Sequence, residues 1–144
     1  MKRIALLLIA FITFTASQAQ IRKTPAEVTN AFTAKFPGAT NVIWSDKLTN
    51  FEAAYTLNGV RGYASFDSDG AWKRTETKVA SLPTEVQDGW NKSKYNGWTV
   101  KSIRKIERPE KETLYKIEAR KNKAVKKNIF FKETGVMESD NITI

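Results

Sequence analysis

FPGATNVIWSDKLTNFEAAYTLNGVRGYASFDSDGAWKRTE, residues Phe36 to Glu76, is the stretch that decides the fold. Within it Phe51, Ala53, Tyr55 and Leu57 alternate with Glu52, Ala54 and Thr56, the period-two pattern of a strand with one buried face. Asn58-Gly59 follows. It is a strong hairpin signal, because both central residues of a type I′ turn need positive φ. On the return, Val60, Gly62, Ala64 and Phe66 share one face and Arg61, Tyr63 and Ser65 the other. Asp67-Ser68-Asp69-Gly70 turns the chain again, Ala71 to Thr77 makes a last strand, and Val42 to Ser45 supplies a short first one. The facing of Trp72 stays open, since a bulge at Gly70 would shift the register.

Before this stretch, Thr24-Pro25-Ala26-Glu27 reads as a helix start. Thr24 is the expected cap, Pro25 the first helical residue, and Glu27 the partner that completes a capping box. Val28, Ala31, Phe32 and Phe36 then form one apolar stripe, and Pro37-Gly38 ends the helix. After it, the plan returns. Leu82-Pro83-Thr84-Glu85-Val86 echoes Thr24 to Val28, with Trp90 in the place of Phe32 and Asn96-Gly97 as the stop. Leu82 lacks the capping oxygen of Thr24, so the second helix is expected to start less firmly. Val100 to Ile106 corresponds to the first strand, and Tyr115, Ile117 and Ala119 alternate with Lys116, Glu118 and Arg120. Asn122-Lys123 marks a hairpin turn, Ile129 and Phe131 point inward, and Lys132 to Gly135 stands where Asp67 to Gly70 stood. Each unit of about sixty residues is too small to bury its own sheet face well. The expected fold is therefore α+β. It consists of two tandem repeats, about 22–80 and 81–144, each one helix plus an antiparallel β-meander. The two sheets join into one larger antiparallel sheet with the helices on one face.

The first nineteen residues stand apart. Lys2 and Arg3 precede the apolar run Ile4 to Phe14, and Ser17-Gln18-Ala19 supplies small residues at −3 and −1 of a cleavage site. This is the pattern of a secretory signal peptide, residues 1–19, which leaves a single domain, 20–144, beginning at Gln20. The run is too short for the roughly 20 residues that span a bilayer, and no transmembrane segment is expected in the mature chain. Without Lys2 and Arg3, 22 basic residues face 15 acidic ones, net +7. Gln20 to Ala80 carries +2 of this and Ser81 onward +5. Such a surface favours anionic partners, although a solvated basic surface has the same composition. Cysteine and histidine are both absent. That excludes disulfides, a Ser-His-Asp triad, a Cys nucleophile and a zinc site built on imidazole or thiolate.

A helix, then FPGA (Phe36–Ala39), V-x-W (Val42, Trp44), E-A-x-Y (Glu52, Ala53, Tyr55) with an N-G turn, then F-D-x-x-G-x-W (Phe66 to Trp72) with Thr75-Glu76, resembles the PepSY-like, β-lactamase-inhibitor-like small exported proteins of Bacteroidetes. The likeness is close from Ala26 to Glu76 and looser from Leu82 to Met137. It implies a repeated helix-plus-antiparallel-sheet fold. In the inhibitor-like relatives the joined sheets make a concave surface that grips a partner protein. The shared motifs are structural, and none carries a catalytic residue across.

Asp67, Asp69 and Gly70 offer two carboxylates in a four-residue turn, short of the six or more oxygens of a calcium loop, so no metal or cofactor is expected. Asp46 with Glu52, or Glu107 with Glu118, would suit a glycosidase only if each pair shared a cleft; the chain is expected not to be an enzyme. Tyr63 and Phe130 lie opposite their apolar neighbours. With Arg61, Lys116 and Arg120 they form a candidate aromatic and basic patch on the open side of the sheet. The same pattern also fits single aromatics that steady cross-strand pairs. Lys121, Lys123, Lys126 and Lys127 make a basic hairpin tip, and blocks of like charge at a tip are usually solvated. The expected function is a non-enzymatic periplasmic or secreted module that presents the open face to a protein or peptide. The alternative is binding of an anionic envelope glycan or lipid headgroup through the basic second repeat. Export argues against nucleic acid.

Overall fold

A computed structural model describes residues 22–142; the expected signal peptide and its cleavage point after Ala19 lie outside the described residues. The elements run α1 (Ala26–Lys35), β1 (Thr40–Asp46), β2 (Phe51–Leu57), β3 (Val60–Phe66), β4 (Trp72–Lys78), α2 (Thr84–Lys92), β5 (Thr99–Arg108), β6 (Lys111–Arg120), β7 (Lys126–Lys132) and β8 (Met137–Ile142). The class is α+β. All eight strands form one antiparallel sheet in sequence order. β4 and β5 pair directly, from Thr75↔Glu107 to Lys78↔Arg104, although α2 lies between them in the chain.

Both helices start in the same way, and not by the expected cap. Pro25 and Pro83 take the N-cap positions in extended conformation, and neither helix has a side-chain cap hydrogen bond. Thr24 and Glu27 therefore form no capping box, and the expected difference in firmness between the two starts is absent. Proline fits here because its fixed φ suits a helix entrance, where the missing N–H costs nothing. α1 ends at Phe36 as read, but α2 stops at Ser93, before Asn96-Gly97. Ser93 itself closes the helix: its Oγ donates to the Trp90 carbonyl at 2.8 Å.

The hairpins follow the sequence. Asn58 and Gly59 both have positive φ, +50° and +76°, as a type I′ turn requires. After the next turn the register slips, so that Ser65 faces Arg74 while Phe66 faces Trp72. This bulge settles Trp72 on the same side as Phe66, against the α1 core. A second slip, between Thr40 and Ile43 around Asn41 at φ +52°, leaves Val42 37% exposed.

Two apolar clusters hold the helices down. Val28 and Phe32 of α1 pack with Phe51, Ala53, Tyr55, Ala64 and Phe66. The Phe32 ring meets Trp44, Tyr55 and Phe66 edge-on at 5.4, 5.3 and 6.3 Å between centroids. Val86 and Trp90 of α2 pack with Tyr95, Tyr115, Ile117, Ala119, Ile129 and Phe131. Each large side chain buried in this way contributes about 1.5–3 kcal/mol. Since β-strand side chains alternate, Tyr63 and Lys116, which adjoin the core residues Ala64, Tyr115 and Ile117, point to the other face, and so does Arg61, two residues before Tyr63.

Candidate functional site

By alternation all five candidate residues fall on that other face, four of them grouped and Arg120 apart. Tyr63 on β3 lies between two guanidinium groups, with Arg104 at 4.9 Å and Arg61 at 5.6 Å from its ring centre. Beside Tyr63 the register sets Glu76 of β4. Its carboxylate takes a 2.5 Å contact from Lys116 Nζ and a 3.1 Å contact from Arg74. Lys116 thus reaches from β6 over β5 to β4. Directly opposite Lys116, on β7, stands half-buried Phe130. Tyr63 and Phe130 are four strands apart, roughly 19 Å across the sheet. The fifth residue is not brought in. Arg120 pairs with Thr99 and Lys126, four residues further along β6 than Lys116, roughly 13 Å of strand.

The centre of this face is not bare, as an open sheet face would be. Ser65 and Glu76 are 6% exposed, Ile106 4% and Leu114 5%. Long basic side chains cover it with their stems while their heads reach outward. They bound a shallow cleft of about 270 Å³ lined by Glu52, Tyr63, Arg74, Glu76, Arg104 and Lys116. Arg104 and Glu76 were not singled out from the sequence. The alternation Ser102, Arg104, Ile106 along β5 carried the signal for Arg104. The bulges in that strand, after Val100 and after Ile106, obscure it. One end of the Arg104 guanidinium, Nη1, is buried with no hydrogen-bond acceptor.

The other constellations resolve into structural roles. Asp67 pairs with Lys73 at 3.0 Å, and Asp69 accepts from the Ala71 N–H at 2.9 Å, so both carboxylates serve the turn. Among the described residues no group of three or more acidic side chains is gathered for a metal. Asp46 pairs with Phe51 and Ser45 with Glu52, which puts Asp46 and Glu52 on opposite faces. Glu107 faces Thr75 on the helix-packed side, while Glu118 follows Lys116 on the other. Neither carboxylate pair shares a cleft.

The basic tip divides. Lys121 and Lys123 are exposed in the β6–β7 loop, but Lys126 pairs with Glu118 at 3.0 Å. Lys127 is set on Asp140 of β8 at 2.5 Å. Tyr95 donates its hydroxyl to the same Asp140 carboxylate at 2.6 Å. The hydrogen bond from Lys127, helped by that from Tyr95, lowers the Asp140 carboxyl to about 2. At the other end of the sheet Arg22 does the same for Asp46, also lowered to about 2.

The arrangement matches a known family. Residues 49–138 match the family described as "Putative beta-lactamase-inhibitor-like, PepSY-like". The chain belongs to this PepSY-like family. Three solved structures share the fold of this PepSY-like protein. One is a DUF2874 family protein from Bacteroides uniformis, with 24% identity and TM-score 0.79 over 83% of this chain and 90% of that one. Another, from Bacteroides eggerthii and described as a "putative periplasmic" protein, has 22% identity and TM-score 0.79 over 84% and 90%. The third, a BLIP-like protein from Bacteroides fragilis, has 24% identity and TM-score 0.76 over 85% and 89%. Identities this low establish the fold alone. No curated protein matches the PepSY-like chain, and among its described residues no helix is long and apolar enough to cross a membrane.

Proposed function

We propose that this PepSY-like chain is a non-enzymatic, exported binding module that holds a protein or peptide partner on the sheet face turned away from its helices. The observation that carries the reading is the placement of Tyr63, Lys116 and Phe130 on the face opposite the two apolar clusters. The architecture behind it is two tandem repeats with both helices on one face. The register supports this: Gly62↔Thr77, Thr77↔Lys105, Lys105↔Tyr115 and Tyr115↔Phe131 run on one side from the first cluster to the second. A periplasmic location is supported by the basic n-region and apolar run at the N-terminus and by the description of the Bacteroides eggerthii relative. Aromatic and Arg groups are those enriched at interface hot spots, and a half-buried Tyr63 stacked with Arg104 is of that type.

The test is the double substitution Tyr63→Ser with Phe130→Ser. Partner capture from the native cell envelope and unfolding midpoint are measured on the same samples. Affinity is expected to fall more than about tenfold with little change in midpoint. Affinity that survives while stability collapses would make the two aromatics structural and the binding face wrong. A second reading, an anionic glycan or lipid headgroup, draws on the +5 charge of Ser81 onward and the exposed Lys121 and Lys123. Salt separates the two, since polyanion binding weakens steeply with ionic strength and an aromatic-centred interface changes less.

A further inference from the structure

Between Tyr63 and Phe130 the sheet lines up like charges. Lys78 faces Arg104, Arg104 faces Lys116, and Lys116 faces Phe130. Continuing the Gly62↔Thr77 register by one residue sets Arg61 against Lys78. Like charges directly opposite one another on a sheet are destabilising. Lys116 is compensated by Glu76, but Glu76 is already shared with Arg74. Among the described residues Arg104 meets the ring of Tyr63 and no carboxylate, and its Nη1 is buried without an acceptor. A buried guanidinium nitrogen without an acceptor bears the desolvation cost of a charged donor with no return. The free protein therefore keeps a row of cations that costs it stability; at its centre Arg104 buries Nη1 but lines the cleft with the partly exposed rest of its side chain.

We propose that this row anchors a carboxylate-bearing stretch of the partner protein, laid across strands β3 to β7. The proposal rests on the reading of this face as the binding face and adds the partner's chemistry. An Asp or Glu carboxylate of the partner accepts from the part of the Arg104 side chain that lines the cleft, with Lys116 beside it and Arg61 across the Tyr63 ring, and apolar side chains of the same stretch rest on Tyr63 and Phe130. Two features favour a protein carboxylate over a densely charged polyanion. Glu52 and Glu76 line the same cleft and repel closely spaced negative charge. The row of cations ends on Phe130, and the next row of the sheet sets Tyr63 and the buried Ile106 and Leu114 beside it, an apolar setting that suits alternating side chains of an extended peptide.

The probe is a blocked, labelled peptide of alternating Glu and Val, compared with the same peptide carrying Gln for Glu, by fluorescence anisotropy. The Glu peptide is expected to bind at least about tenfold more tightly, and the preference to vanish when Arg61→Gln and Arg104→Gln are combined. Equal binding of the two peptides, or a preference that survives the double variant, overturns the proposal. So does binding of dextran sulfate or phosphatidylglycerol vesicles with no binding of the Glu peptide. A measurement on the free protein guards against a peptide of the wrong sequence. Arg104→Gln is expected to raise the unfolding midpoint by about 1–3 °C at low salt, with the gain shrinking in 1 M salt. A lower midpoint at low salt would mean that Arg104 is kept for its stacking on Tyr63, and the proposal fails. The outcomes also separate the two levels of the argument. Envelope capture that depends on Tyr63 and Phe130 but not on Arg61 and Arg104 removes the acidic anchor and leaves the binding face standing. Glu-peptide preference that depends on the two Arg but not on the aromatics keeps the anchor and removes the aromatic-centred interface.

Discussion

Helix α1 meets the β3–β4 turn across an alanine, whereas helix α2 meets the β7–β8 turn across a glycine. In α1 the order is Glu27-Val28, then Ala31-Phe32; in α2 it is Glu85-Val86, then Gly89-Trp90. A side chain placed on Gly70 would come 2.8 Å from the Glu27 carbonyl oxygen and 3.4 Å from the Ala31 methyl. A side chain placed on Gly89 would come 2.0 Å from the Gly135 carbonyl oxygen, and one on Gly135 would come 2.1 Å from the Glu85 oxygen. The same join is thus made with a methyl as spacer in the first half and backbone to backbone in the second. The sheet under the helices differs in the same sense. The strands contribute small Ala53 and Ala64 to the cluster of Phe32, and Ile117 and Ile129 to the cluster of Trp90. The first half fills its space with aromatic walls around a low floor. The second uses a higher aliphatic floor and a larger helix residue, with the turn drawn in close.

The largest effect should come from the two central rings. Phe32→Ala and Trp90→Ala are each expected to cost roughly 3–5 kcal/mol, read by denaturant unfolding. A loss below about 1 kcal/mol at either would contradict the packing of that half. Next is Gly89→Ala. Alanine favours a helix over glycine by about 1 kcal/mol, but forcing a methyl against backbone costs about 1–3 kcal/mol or more, and here the contact is too short to relax cheaply. A net loss of about 2 kcal/mol is expected, and a gain would show that α2 stands off from the β7–β8 turn. Gly70→Ala meets the Glu27 carbonyl oxygen less closely, at 2.8 Å, but must also hold φ at +88°, so contact and conformation together are expected to cost about 1–2 kcal/mol. Ala31→Gly, which gives α1 the residue of α2, should lose only the helix-propensity difference, about 1 kcal/mol.

How much of this was legible follows the same division. The stripe of Val28 and Phe32, the Asn58-Gly59 turn and the alternation of β2 and β3 are local signals, and the α+β class follows from them. Apart from the helix start, what the sequence hid is non-local. Pro25 displaces Thr24 from the cap because the helix begins one residue later than read. β8 was not read as a strand, since Met-Glu-Ser-Asp-Asn-Ile has no apolar alternation; it is held by pairing with β7 and by the carboxylate of Asp140. At the candidate site, alternation identified the side for Tyr63 and Phe130. Nothing local showed that Arg104 would stack on Tyr63 from two strands away, or that Ile106 and Leu114 would be buried under basic stems. Those facts depend on the β4–β5 pairing, which joins residues about thirty apart in sequence.

The smallest effect concerns pH, and it compares the two ends of the sheet. Asp46 is held by Arg22 beside β1, and Asp140 by Lys127 and Tyr95 beside β7. Both carboxyls have folded values lowered from 3.8 to about 2. A lowered carboxyl stabilises the fold above its unfolded value, and the contribution fades as pH falls through the folded one. Each group therefore acts fully above about pH 5 and is lost progressively between about pH 4 and pH 2. The expected signature is a difference in unfolding midpoint between the parent protein and Asp140→Asn that is constant near neutral pH and closes towards pH 2. Asp46→Asn should trace the same curve. Both pairs are reached by solvent, so each difference should be smaller than that of any core substitution above and should shrink in salt. The two ends then part company in what they hold. Asp140 ties an edge strand with no apolar alternation to β7 and to the Tyr95 loop, so Asp140→Asn should also speed amide exchange along β8 at neutral pH. Asp46 ties the chain before α1 and the Leu48 N–H of the β1–β2 turn to a strand already fixed by Trp44 in the first cluster, so Asp46→Asn should speed exchange at Leu48 but leave the rest of β1 nearly unchanged. Equal exchange behaviour at the two edges would mean that the β8 pairing does not depend on the Lys127–Asp140–Tyr95 network.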